Sequence, residues 1–186
     1  MDPLTAILII IGVLLIANGG GGATVPVGSY SYGSGGYSSY GGPRQGGGNV
    51  TSGDAFVLAQ TIYGEARGQS VAARQGVASV IMNRVHNGAY GASVTAVCKA
   101  PNQFHCWNAG DPNLAVIQRA TVANAVFAAC LQMAQSAVSG TLQDNTMGAL
   151  RYHDTSISEP ASWVRAGWRK TVQIGALIFY RQGGIT

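Results

Sequence analysis

The chain has 186 residues, only 10% of them charged, and a formal net charge of +4 at pH 7. Asp2 and Arg44 cancel within the first fifty residues, so the basic excess belongs to residues 51–186. This balance suits an anionic partner such as a wall or membrane, whereas no Lys/Arg run or familiar motif supports binding to nucleic acid.

Leu4 to Ala17 is almost purely apolar. As a helix it would be about 21 Å long, short against a hydrocarbon core of about 30 Å. A secretory signal normally begins with Lys or Arg, yet Asp2 is the only charge before the run. Residues 1–17 are therefore expected to be a retained membrane anchor rather than a cleaved signal. A buried core helix is disfavoured because a flexible segment follows at once. Residues 18–50 are rich in Gly, Ser and Tyr, too poor in apolar surface to offset the entropy of ordering. They read as a tether with an r.m.s. reach of about 30 Å, with a self-associating segment through Tyr30, Tyr32, Tyr37 and Tyr40 as the alternative.

From Thr51 the pattern becomes helical, and residues 51–186 are expected to form one mainly α domain with a small β element. Thr51 and Asp54 have capping-box spacing ahead of Phe56, Leu58, Ala59, Ile62 and Ala66, a run ending at Gly68. A second helix fits Ser70 to His86, stopped by Asn87-Gly88, and a short one fits Ser93 to Lys99. Pro101 to Gly110 reads as loop. Asp111-Pro112 then opens what reads as one long Ala-rich helix to Ser139, ended by Gly140. Leu150 to His153 and Thr171 to Tyr180 are β-like runs among glycine and proline breakers. Cys98 and Cys106 flank a short loop and are candidates for a disulfide staple, while Cys130 fits a helical core pattern.

Seven acidic side chains form the whole acid pool: Asp2, Asp54, Glu65, Asp111, Asp144, Asp154 and Glu159. Breaking a glycosidic bond needs a carboxylic acid kept protonated by burial. Glu65 is the best candidate, near a helix end among Tyr63, Gly64, Ala66 and Gly68, where small neighbours admit a sugar and apolar ones raise its pKa. The bland reading is a solvated surface Glu beside Arg67.

Four blocks change that weighting. Ile62-Tyr63-Gly64-Glu65-Ala66-Arg67-Gly68 with Gly76 to Val85, Pro101-Asn102-Gln103-Phe104-His105-Cys106, Asp144 to Ala149, and Ile174-Gly175 with Phe179-Tyr180 occur in this order. Together they resemble the cell wall hydrolase family of spore-cortex-lytic, SleB/CwlJ-like enzymes, over residues 52–181. The resemblance implies a lysozyme-like fold that cuts between N-acetylmuramic acid and N-acetylglucosamine, with Glu65 as catalytic acid. Three positions depart from the family pattern. Leu177 stands where the last strand usually has His, and Asn145 and Met147 replace the Pro and second Gly of the family's turn.

Hydrolysis would require a second carboxylate, with Asp144 as the first choice and Asp154 and Glu159 behind it. A one-acid lytic transglycosylation, in which Glu65 both gives and retakes a proton, avoids that requirement and is preferred. Phe104, Trp107, Tyr152 and Trp163 are candidate sugar-stacking walls, with Asn83 and Gln103 as polar orienters. No metal or other cofactor is expected: His86, His105, His153 and the cysteines show neither His-Glu-x-x-His nor Cys-x-x-Cys spacing. The rival readings are a zinc amidase or peptidase, a cysteine peptidase using Cys106 and His153, and a tethered wall-binding protein without activity. The expected partners are peptidoglycan and, through residues 4–17, a membrane, with no obligate protein partner. The expected setting is a bacterial envelope or the membrane of a phage virion, with the catalytic domain facing the wall.

Overall fold

The computed structural model describes residues 52–183. The expected anchor at residues 4–17 and tether at 18–50 lie outside them, and no helix among the described residues is long and apolar enough to cross a membrane. The elements are α1 (Ser52–Ala66), α2 (Val71–Asn87), α3 (Val94–Cys98), α4 (Pro112–Gln118), α5 (Ala125–Val138), β1 (Arg151–Asp154), α6 (Ala161–Arg165), β2 (Trp168–Ile174) and β3 (Leu177–Gln182). A single 3₁₀ turn, His105–Trp107, interrupts the loop after α3.

Helix α1 is central, packing against α2, α3, α4 and α5. Leu58, Ile62, Val77, Ile81 and Phe127 are fully buried at these contacts, each worth about 1.5–3 kcal/mol relative to exposure. Local signals set the ends of α2. Ser70 accepts a hydrogen bond from the Ala73 N–H, and Gly88 at φ 77° lets its N–H reach the Arg84 and Val85 carbonyls. Thr51, the expected capping-box partner of Asp54, lies outside the described residues; Asp54 Oδ1 accepts from both the N–H and the hydroxyl of Thr95 at the start of α3.

The long Ala-rich helix does not form. It splits into α4 and α5, with Asn124 capping α5 by accepting from the Val126 and Phe127 N–H groups. The run Thr171 to Tyr180 likewise divides into two strands around Gly175, whose φ is 58°. The resulting antiparallel sheet has the order β1-β3-β2. Tyr152 pairs with Phe179 across it, and the register shifts between Lys170 and Gln173. The sheet meets α2 where a Cβ on Gly76 would run into the Phe179 ring. Leu177, the family's histidine position, is a buried member of the main core.

Candidate active site

Glu65 sits one residue before the end of α1 and lines a cleft of about 230 Å³. Gly64, Ala66, Arg67, Gly68, Gln69, His105, Cys106, Asp111 and Asn113 line the same cleft. Three separate elements converge here. A Cβ on Gly64 would lie 2.6 Å from Cys106 Cβ and 2.9 Å from Ile117 Cγ2, so only glycine lets the 3₁₀ turn and α4 approach α1 this closely.

The carboxyl is braced from two sides. The Cys106 N–H donates to Glu65 Oε1 at 3.4 Å, and the Tyr152 hydroxyl, carried by β1, donates to Oε2 at 3.2 Å. Glu65 keeps an opening to solvent, yet protein crowds the carboxyl enough that burial raises its pKa above the usual carboxylate value. The thiol and N–H of Cys106, the Tyr152 hydroxyl and the charge of His105 act in the opposite direction without cancelling the effect. Burial and the neighbouring Glu65 together push the Tyr152 hydroxyl well above its ordinary pKa, so it is a standing donor.

Tyr152 is 1% exposed, which makes it a support for Glu65 and leaves no ring face for a sugar. Phe104, 2% exposed, lies beneath the Arg84 guanidinium, whose carbon is 5.2 Å from the ring centroid. Trp163, 1% exposed, belongs to a separate small core with Trp168 and Tyr180. Burial thus takes these three out of reach as sugar walls. Trp107 is half-buried. Its Nε1–H donates to Thr61 Oγ1 at 2.9 Å, and Lys99 Nζ covers one ring face 4.6 Å from the centroid.

The two expected orienters also have partners within the protein. Gln103 Oε1 accepts from Arg84 Nη1 at 3.3 Å. Asn83 Nδ2 donates to Asp144 Oδ2 at 3.1 Å and to the Ala149 carbonyl at 3.0 Å.

Asp144 is not among the cleft residues. It organises the turn after α5, accepting from the N–H and hydroxyl of Thr146, from the Gly148 N–H at 2.7 Å and from Asn83. Desolvation alone would raise its pKa, but these donors outweigh it and hold the carboxyl below its usual value. Asp111 is the acid that shares the cleft with Glu65. Read from the sequence as a helix cap, it does cap α4, and the cap itself carries it to the cleft rim.

Cys98, Cys106 and Cys130 are free and buried, so the expected staple is not formed. Burial pushes the Cys98 thiol up to about 12 and moves Cys106 upward as well, away from nucleophilic thiolate character. His153 lies in the small core, with Nδ1 on the Asp154 carbonyl and Nε2 on the Tyr180 hydroxyl. The Cys106–His153 peptidase pair is therefore not assembled. Among the described residues, no three His, Cys, Asp or Glu side chains gather into a metal-binding group.

The cell wall hydrolase family profile matches residues 68–180, more than half of the chain. The chain belongs to the cell wall hydrolase family. Its fold matches the catalytic domain of the Bacillus cereus SleB protein with a TM-score of 0.57 and 26% identity, covering 76% of this chain and 100% of that one. It also matches the catalytic domain of the germination-specific lytic transglycosylase SleB from Bacillus anthracis, with a TM-score of 0.54 and 24% identity over 75% of this chain and 100% of that one. Comparison with curated proteins gives no match. The profile begins three residues beyond Glu65, so the assignment of this cell wall hydrolase to its family does not depend on the glutamate.

Proposed function

We propose that this cell wall hydrolase cleaves peptidoglycan strands between N-acetylmuramic acid and N-acetylglucosamine as a lytic transglycosylase, with Glu65 as the acid. The observation that carries this reading is that, of the two carboxyls lining the cleft, Glu65 is the one raised by burial and braced by Cys106 and Tyr152, while Asp111 is engaged in capping α4. Protonated Glu65 gives its proton to the glycosidic oxygen as the bond to C1 of the muramic residue breaks. The carboxylate then takes the proton of the C6 hydroxyl as O6 bonds to C1. A 1,6-anhydro ring closes, Glu65 is protonated again, and no water is consumed.

Digesting purified peptidoglycan with the full chain and with Glu65→Gln, followed by mass spectrometry, tests this. Anhydro-muramic ends that vanish in the variant are expected. Reducing muramic ends would favour hydrolysis, for which Asp111 is better placed than Asp144 because it lines the cleft. Freed stem peptides would replace the reading with an amidase or peptidase. Glycan binding without products would make the chain a wall-binding protein.

We also propose that residues 4–17 anchor the enzyme and residues 18–50 let the domain reach a nearby wall, in a bacterial envelope or a phage virion. Deleting residues 1–17 should move the protein from the membrane fraction to the soluble fraction. Unchanged partitioning would remove the anchor from the proposal.

A further inference from the structure

Asn113, which the sequence reading did not single out, is the second residue of α4 and lines the cleft with Glu65. It is 8% exposed. Its N–H donates to Asp111 Oδ1 at 2.7 Å, but its side-chain carboxamide makes no hydrogen bond with the described residues. A nearly buried amide normally bonds to protein or ordered water, and the polar atoms of this one, which are not sealed in the core, are open to the solvent in the cleft. Alanine or leucine would fill this helical position without leaving a polar group unpaired.

The position is fixed as well as polar. Asp111 and Pro112 set the start of α4, and Gln60 Nε2 of α1 donates to the Ile117 carbonyl at 2.8 Å. Ile117 and Cys106 both pack at Gly64, immediately before Glu65. The carboxamide and the Glu65 carboxyl are therefore held on one frame, facing one cleft.

We propose that Asn113 binds the 2-acetamido group of the N-acetyl sugar seated beside Glu65, its Nδ2–H donating to the acetamido carbonyl. This rests on the glycosidase reading and adds the chemical group by which the cleft selects its sugar. A neutral carboxamide matches a neutral acetamide, supplying a donor without bringing a second charge beside the acid. His105 also lines the cleft; its carbonyl accepts from the Asn108 N–H at 2.8 Å, and its side chain makes no hydrogen bond to Asn113.

The test compares the full-length wild type, Asn113→Ala and Asn113→Asp on N-acetylated glycan strands and on the same strands after chemical de-N-acetylation. The wild type should prefer the acetylated strand by about tenfold or more in kcat/KM, as expected for one well-placed hydrogen bond. Asn113→Ala should bring that ratio close to one by losing rate on the acetylated strand. Asn113→Asp, which keeps the shape but loses the donor, should behave the same way. A ratio unchanged in both variants, with melting temperatures preserved, overturns the proposal.

A second readout does not depend on turnover. Full-length Glu65→Gln should bind soluble N-acetylated strands at least about tenfold more tightly than the Glu65→Gln/Asn113→Ala double variant, and equal affinities sink the assignment. If the wild type cleaves neither strand, the glycosidase reading fails and this affinity comparison still decides Asn113.

Discussion

Glu65 and Asp144 are carboxylates of one small domain that have been driven in opposite directions. Asp144 is more exposed, but four donors from its own turn and from Asn83 surround it and hold it charged. Glu65 has crowding protein and few donors, so its neutral form is favoured. Donor number, rather than depth alone, separates an acid that organises a turn from one that holds its proton to higher pH.

The widest separation is expected from the two isosteric amides. Glu65→Gln should lower glycan cleavage by about 10³-fold or more, measured as released ends. It should also stabilise the domain. A raised folded pKa means that the native state holds a proton which the unfolded chain releases near pH 4.3. Wild-type stability therefore falls as pH rises from there through the folded value, a loss absent from the amide. Its melting temperature should exceed that of wild type at pH 7 and converge with it near pH 4.

Tyr152→Phe removes a donor that favours the charged form of Glu65. The pKa of Glu65 should rise further, moving the alkaline limb of kcat/KM to higher pH while kcat drops by about tenfold through poorer positioning. An unmoved limb would show that the hydroxyl does not act through Glu65.

Asp144→Asn should do the reverse of Glu65→Gln. A depressed folded pKa contributes stability that is present above the unfolded value near 3.9 and is lost as pH falls through the folded value. After allowance for solvent screening, the variant should lose about 1 kcal/mol at pH 7 and progressively less as pH falls below the unfolded value, by denaturant unfolding. Turnover per folded molecule should not change. A collapse of turnover with the fold intact would restore Asp144 as a second acid.

The smallest effect lies in the same turn. Met147 is 65% exposed at φ 61°, a left-handed conformation that side chains with a Cβ resist. Met147→Gly should raise stability by up to about 1 kcal/mol, seen as a melting temperature a few degrees higher.

Much of the α scaffold was legible because its signals are local. Ser70 and Gly88 mark the ends of α2 within a residue or two of the pattern that predicts them. The break before α5 was harder to see, because Ala120 to Asn124 contains neither Gly nor Pro and the Ala-rich pattern continues through it. Its one local sign is Asn124 ahead of Ala125-Val126-Phe127, a cap recognisable once the helix on each side is known to be short. Helix α6, five residues between Pro160 and Gly167, is too brief for periodicity to register.

The candidate site divides the same way. Glu65 stands out through its small neighbours and its motif, but Tyr152 and Cys106 reach it from 87 and 41 residues away in sequence. Asn113 and Asp111 arrive with α4. Contacts of this kind belong to tertiary packing, so Tyr152 read as a sugar wall and Asp111 as a cap alone.

Arg84, buried in α2, donates from Nε to the Leu150 carbonyl at 2.8 Å and from Nη1 to Gln103. One end of this strut sets the start of the strand that carries Tyr152, and the other holds the loop that carries Cys106. This strut ties both braces on Glu65 to one side chain, in addition to the β1–β3 pairing and the Cys106 packing at Gly64 that hold each of them separately. On heating, activity should persist until the domain itself melts, with no earlier stage in which a folded protein has a slack active site.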